Sequence, residues 1–272
     1  DAAFCDCESL REIDIPSSVT EIGDSAFYGC KSLEKFLIPS SVNLIKPNAF
    51  YGCCSLKEIV IPSSVTSIGT AAFSECSSLT QISIPSSLQK IGEDVFLGCS
   101  SISLFGDLNV VVDKLFFGCN TLKEIYIPSS VVKIGKFAFS NCSMLSKIKI
   151  PSSVIEIEEY AFNSCLSLSE VLIPSSVSKI GMGAFNDCKS LKKVSLSSSL
   201  KIIVGKIFNK CVSLEEIFIP SSVISIKNFA FCGCKSLGQI TFENNNSLIS
   251  IGNHSFERCS SLKKIDFPSS LK

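Results

Sequence analysis

Fifteen cysteines and one histidine are the residues of this 272-residue chain best suited to nucleophilic, redox or metal chemistry. Such chemistry needs a thiolate beside a base, or thiolates spaced as metal ligands. No C-x-x-C occurs. Cys5-x-Cys7, Cys53-Cys54 and Cys232-x-Cys234 are poor spacings for a tetrahedral site, and histidine partners are missing. His254, beside Ser255 and Phe256, has no G-x-S-x-G or other nucleophile motif around it and reads as a solvated loop histidine. No glycine-rich loop is present to cradle a phosphate. The expectation is a chain with no catalytic residues, no metal, no cofactor and no enzymatic role.

Composition narrows the partners further. Lysine plus arginine number 25 and so do aspartate plus glutamate, so the formal net charge is zero and nothing points to nucleic acid or an anionic membrane. Charged residues reach only 18%, against about 25% in ordinary globular chains. Mean hydropathy is +0.39, yet no stretch approaches ~18 consecutive apolar residues, so no membrane span is expected. No basic start followed by an apolar run suggests a signal peptide.

An internal repeat organises the whole chain. Pro16, Pro39, Pro62, Pro85, Pro128, Pro151, Pro174, Pro220 and Pro268 share one register, 23 residues apart where it is unbroken. Twelve cysteines, from Cys7 and Cys30 through to Cys234 and Cys259, form a second register, and a phenylalanine precedes each by three residues. The unit reads C-x-S-L-x-x-I-x-I-P-S-S-V-x-x-I-G-x-x-A-F-x-x. Its I-x-I step alternates like a strand, and V-x-x-I-G suggests a second, shorter strand. Proline should end the first strand, with Ser-Ser in the turn that follows. The Phe-x-x-Cys spacing suits one turn of 3₁₀ or α-helix pointing both side chains inward. One such coil cannot bury its own apolar residues, whereas stacked coils cover one another.

These motifs resemble the leucine-rich repeats of the BspA-like, or Treponema-type, family, and the resemblance covers residues 1–272. It implies a mostly β, right-handed solenoid of about twelve coils. A parallel concave sheet would face short β or 3₁₀ segments on the back, with little α-helix. It also implies surface proteins of mucosal bacteria and protozoa that adhere to host cells or matrix proteins. The family brings no catalytic residues, and its variable positions choose the ligand. Residues 1–272 are expected to be one solenoid. The chain opens inside a unit at Asp1 and stops at Lys272 with no distinct cap, which reads as a segment of a longer protein.

Two units break the register. From Cys99 to Cys119 is 20 residues, and Phe105-Gly106-Asp107-Leu108 is read as replacing the strand and turn, shortening both and kinking the sheet. From Cys234 to Cys259 is 25, with two extra residues expected to bulge within Glu243-Asn244-Asn245-Asn246-Ser247. Both read most simply as drift in an array. The ladder cysteines are expected to be buried free thiols acting as small hydrophobes, since parallel neighbours hold their Cβ atoms too far apart for an unstrained bridge. A thiol-rich chain is more usual in a reducing compartment, which pulls against a surface location. N-x-S sequons stand at Asn141, Asn245 and Asn253, with Asn141 expected to be poorly accessible.

Two columns should face outward from the first strand. The first, from Glu12 and Lys35 through Leu104 to Lys264, alternates in charge and reads as a solvated ion-pair ladder. The second holds Leu37, Val60, Gly106, Tyr126, Lys149, Leu172 and Phe218. Its apolar members read as a binding surface, though scattered surface hydrophobes are also ordinary. Leu37, Val60, Tyr126, Lys149, Leu172 and Phe218 are therefore the candidate partner-binding residues. The expected function is non-enzymatic adhesion to a host-cell or extracellular-matrix protein at the cell surface or in secreted form, with a glycan as an open alternative ligand. The competing reading is an intracellular, cytoplasmic scaffold for protein–protein interaction.

Overall fold

The computed structural model describes residues 1–106, 108–245 and 247–272. Two sets of short strands run through them, every pair parallel, and no helix occurs among the described residues. The first set begins at Glu58–Val60 and Gln81–Ser83 and ends at Gln239–Phe242. The second consists of two-residue strands, from Glu21–Ile22 to Ser250–Ile251. Glu21 pairs with Leu44 and Leu44 with Ser67, so each coil advances the chain by one repeat. A repeat of parallel, in-register coils is a solenoid.

Alternation explains the first strands. In Glu58–Val60 only Ile59 turns inward, and Ile61 follows it into the core. Pro62 then ends the strand, and its carbonyl accepts the Val65 N–H at 3.0 Å, closing a turn over Ser63 and Ser64. The second serine does more than suit a turn. Ser64 Oγ donates to the carbonyl of Val42 one coil earlier at 2.6 Å, and Ser41, Ser130, Ser153 and Ser222 repeat the clamp.

The back of each coil differs from the expected helical turn. The Ala26 N–H donates to Gly23 and the Cys30 N–H to Phe27, closing two successive four-residue turns. Their third residues, Ser25 at φ 53° and Gly29 at φ 68°, are left-handed, as a type II turn requires. Left-handed residues interrupt any 3₁₀ or α run. Phe27 and Cys30 still both point inward. The freed N–H groups bond the next coil instead, Phe27 to Ala49 and Gly29 to Tyr51, each at 2.8 Å.

The core is one continuous cluster from Ile22 to Cys259. Phenylalanines stack down its length: Phe116, Phe139 and Phe162 lie with ring centroids 5.3 and 5.1 Å apart and nearly parallel planes. All fifteen cysteines are free thiols.

The shortened coil corrects the sequence alignment. Its strand, Ser101–Phe105, has five residues and is not shortened at all. Leu108 keeps the usual spacing to Val111 and Cys119, so the missing residues precede the strand, immediately after Cys99. Ser101 therefore faces Glu124 and Ser103 faces Tyr126, while toward the preceding strand the register slides so that Leu104 meets Ile82. Leu104 is buried, not outward, and Ser101 and Ser103 take the places assigned to Leu104 and Gly106. Of Phe105-Gly106-Asp107-Leu108, the stretch expected to kink the sheet, Asp107 lies outside the described residues. In the lengthened coil Ser225 pairs with Ser250 and Phe242 with Ile219, so the extra residues fall between Phe242 and Leu248; Asn246 is outside the described residues.

Candidate functional site

Strand alternation that sends Ile125, Val171 and Ile217 inward sends their neighbours out. Tyr126 is 60% exposed and Leu172 68%, with Phe218 also exposed on the same face. Leu37, at 77%, and Val60 project from neighbouring coils further toward the N-terminus, where they share a shallow dish with Lys35, Phe36 and Glu58. Phe36 lies beneath them, its ring edge-on to Phe27 and Phe50 at 4.8 and 4.7 Å. Lys149 is exposed as well. Val60, Tyr126, Leu172 and Phe218 thus project outward from first-set strands, with Tyr126, Leu172 and Phe218 in three separate hydrogen-bonded ladders, whereas Leu37 and Lys149 are exposed on residues outside the strands.

Register keeps that face ordered. Leu172 lies beside Ser195, and Phe218 beside Thr241. Tyr126, Leu172 and Phe218 each share a strand with a glutamate two positions earlier, Glu124, Glu170 and Glu216 respectively. Lys147 and Lys193 occupy the same column on the intervening coils.

That charged column does not form the ion-pair ladder read from the sequence. No neighbours in it come within salt-bridging distance among the described residues. Pairing occurs instead on the second strands, where Lys133 reaches Glu158 at 2.9 Å and Lys179 meets Glu156 at 2.5 Å. The Lys179 bond, helped by Lys133, holds the Glu156 carboxyl below its usual range. The difference follows from geometry: side chains standing off the first sheet are free to hydrate, whereas Glu156 and Glu158 are largely covered. Apart from Lys264, which pairs with Asp266 at 2.9 Å, the front column therefore keeps its charges available to a ligand.

Several buried thiols are held in their neutral form. Burial pushes Cys99 up to about 12 and Cys259 to about 11, and raises Cys142, Cys165 and Cys211 well above the ordinary thiol range. His254 stacks on Phe229 with ring centroids 4.9 Å apart, and its Nδ1 lies 2.9 Å from Glu257 Oε2. Among the described residues no group of three or more His, Cys, Asp or Glu side chains is arranged to hold a metal ion. No described helix is long and apolar enough to cross a membrane. Asn141 is exposed, contrary to expectation, as are Asn245 and Asn253.

Sequence reasoning missed a further set of aromatics. Phe137 stacks on Tyr160 at 5.3 Å, and Tyr28 on Tyr51 at 4.8 Å, outside the core. Aromatic residues recurring 23 positions apart at columns flanking the ladder phenylalanine were the available signal.

Comparison with known proteins agrees with this geometry. The profile of the BspA type leucine rich repeat region matches residues 1–110, 109–223 and 201–272. A leucine-rich repeat protein from Bacteroides ovatus is 30% identical, with all of this chain aligned to 76% of that one and a TM-score of 0.73. The T. pallidum leucine rich repeat protein is 32% identical over 60% of this chain and 77% of its own, with a TM-score of 0.56. One from Eubacterium ventriosum, 20% identical over 85% of this chain and 80% of its own, shares the fold at a TM-score of 0.58. No curated protein matches. The fold is a scaffold for protein interaction, typically without enzymatic activity. Repeat, parallel ladders and profile agree, and the chain belongs to the BspA-type leucine-rich repeat family.

Proposed function

We propose that this chain is a non-enzymatic adhesion module at the cell surface, binding a host-cell or extracellular-matrix protein through the outer face of its first-strand sheet. The observation that carries this reading is the column of Tyr126, Leu172 and Phe218, exposed on stacked first-set strands beside glutamates that form no ion pair among the described residues. Large apolar side chains supply most interface energy, while surrounding charges set orientation and association rate. Tyr126→Ser with Phe218→Ser should leave the unfolding curve almost unchanged, since neither side chain is buried. Binding to the ligand picked out by a matrix-protein and glycan array should weaken by at least ~2 kcal/mol, roughly thirtyfold. Full affinity in that variant moves the ligand surface elsewhere. Fifteen free thiols favour a second reading, an intracellular scaffold, because such thiols persist most readily in a reducing compartment. Surface biotinylation of intact source cells separates the two: a labelled chain supports adhesion, and a chain labelled only after lysis supports the scaffold.

A further inference from the structure

From Glu124 to Phe218 the outer face repeats every two coils, not every one, whereas nearer the N-terminus Lys35 with Leu37 and Glu58 with Val60 stand on adjacent coils. Glu124 with Tyr126, Glu170 with Leu172 and Glu216 with Phe218 form three like pairs, each a carboxylate beside a large apolar side chain. The coils between them present Lys147 with Lys149, and Lys193 with Ser195. Coils of a hydrogen-bonded ladder lie about 4.8 Å apart, so like pairs recur roughly every 9.6 Å along the solenoid axis, although strand pairing is interrupted between Ile148 and Glu170 and between Ser195 and Glu216.

A ligand lying along that axis must repeat with the same spacing on one of its own faces. A polyproline II chain does so, since one three-residue turn advances about 9.3 Å and every third side chain lines one face. Over the three pairs its drift is only about 0.6 Å. An α-helix returns a side chain to the same face after seven residues, about 10.5 Å, and drifts by about 1.8 Å over the same span. In an extended strand, residues three apart point to opposite faces.

Charge then fixes the chemistry. Glu124, Glu170 and Glu216 form no ion pair within the described residues, so an apolar residue seated on Tyr126, Leu172 or Phe218 leaves a carboxylate beside it for a cation. A second copy of this face is a poor fit. Laid antiparallel, with Leu172 over its counterpart, it sets Glu170 against Glu170; a shift of one coil pairs Glu170 with Lys147 but puts Leu172 on Lys149. We infer that this face binds a polyproline-II segment of a partner protein, carrying an apolar residue and an adjacent basic residue in every three. The inference rests on the reading of this face as the ligand surface.

Four synthetic peptides test it: (Leu-Arg-Pro)₄, a scrambled peptide of the same composition, (Leu-Glu-Pro)₄, and a helical peptide with Leu-Arg at seven-residue spacing. Their affinities are measured by fluorescence anisotropy against the whole chain, Glu170→Lys and Leu172→Ser. The expected result is that (Leu-Arg-Pro)₄ binds at least tenfold more tightly than the other three. Glu170→Lys should lose that advantage tenfold or more, and so should Leu172→Ser, with both variants unfolding like the parent. Equal binding of the scrambled or helical peptide overturns the inference, as does a glycan as the sole ligand. Suppose no peptide binds, while a folded matrix protein still loses affinity to Tyr126→Ser with Phe218→Ser. The face then stands and the polyproline assignment falls; if that loss is absent too, both fall.

Discussion

The thiol of Cys165 donates to the carbonyl of Phe139, one coil earlier, at 3.2 Å. The same bond joins Cys142 to Phe116, Cys188 to Phe162 and Cys211 to Phe185, each at 3.1 Å. The carbonyls of Phe116, Phe139 and Phe162 also each close their own turn, as Phe139 does with the Cys142 N–H at 3.3 Å. Cysteine is thus small enough for the core while offering a weak donor to a second lone pair of a buried acceptor, which alanine cannot do.

A folded chain that keeps its thiols neutral should be sensitive to alkali. Burial raises these groups above their unfolded value of about 8.5, so the native state holds protons that the unfolded chain releases. Their contribution is complete below about pH 8.5. It is lost as pH rises through the folded values, about 11 for Cys259 and about 12 for Cys99. Each thiol adds a slope of about 1.4 kcal/mol per pH unit inside its window. Urea midpoints measured under reductant should be level between pH 7 and 8 and fall steeply above 9. Cys165→Ala should be less stable at pH 7 but show a shallower alkaline slope. Level midpoints up to pH 11 would mean that the thiols are not buried in the fold.

Phe139→Ala removes the middle of a ring stack whose neighbours lie 5.3 and 5.1 Å away on either side. Phe139 is fully buried, so lost transfer energy and the cavity together should cost about 3–5 kcal/mol. Coils are stabilised by their neighbours, so hydrogen exchange should show the loss concentrated in the coils on each side. An unchanged unfolding curve would remove the phenylalanine ladder from the core.

The ion pairs on the second strands should matter less. Glu156 sits below its usual range because of the Lys179 bond and the nearby Lys133. Its contribution is present above the unfolded value of about 4.3 and is lost as pH falls through the lower folded value. Lys179 is mostly exposed, so solvent and salt reduce the pair's worth. Glu156→Gln should therefore cost about 0.5–1 kcal/mol at pH 7 and close to nothing at pH 2.5. A gap between parent and variant that persists at pH 2.5 would show that packing, not charge, explains the loss.

Legibility varied between the two sides of the coil. Period-two alternation and proline stops place Tyr126, Leu172 and Phe218 outward without ambiguity, because a strand has only two faces. The back was harder, since a spacing of three between Phe27 and Cys30 is common to 3₁₀ helices and type II turns. What separates them is the sign of φ at Gly29, and where the same column holds Glu75 or Lys210 the residue type does not announce a left-handed backbone. The shortened coil was misaligned by counting forward from Cys99; counting backward from Leu108 places Ser101 and Ser103 correctly. Ion pairing depended on how far neighbouring coils cover a side chain, as they do Glu158 but not Glu170, which spacing alone does not reveal.

The left-handed residue before each ladder cysteine makes the last prediction. It is glycine at Gly29, Gly52, Gly98, Gly118 and Gly233, but Asp6, Glu75, Asn141, Ser164, Asp187, Lys210 and Arg258 adopt the same positive φ. A side chain there is held against its Cβ preference by about 1–2 kcal/mol, partly offset by the 0.5–1 kcal/mol entropy that glycine would lose on folding. Lys210, at φ 62°, is exposed, and its backbone N–H bond to Cys232 at 2.7 Å needs no side chain. Lys210→Gly should therefore stabilise the chain by about 0.5–1 kcal/mol. Gly52→Ala should destabilise it by about 1 kcal/mol through φ alone, since the nearest atom to a new Cβ is Gly29 Cα at 3.8 Å. Gly98→Ala should cost more, because its Cβ would come within 2.8 Å of Glu75 Cα and the two coils would have to separate. Urea denaturation of the three variants checks the order. If Lys210→Gly destabilises while Gly52→Ala is neutral, the backbone at this column is not left-handed, and the turn that carries the cysteine ladder is of a different type.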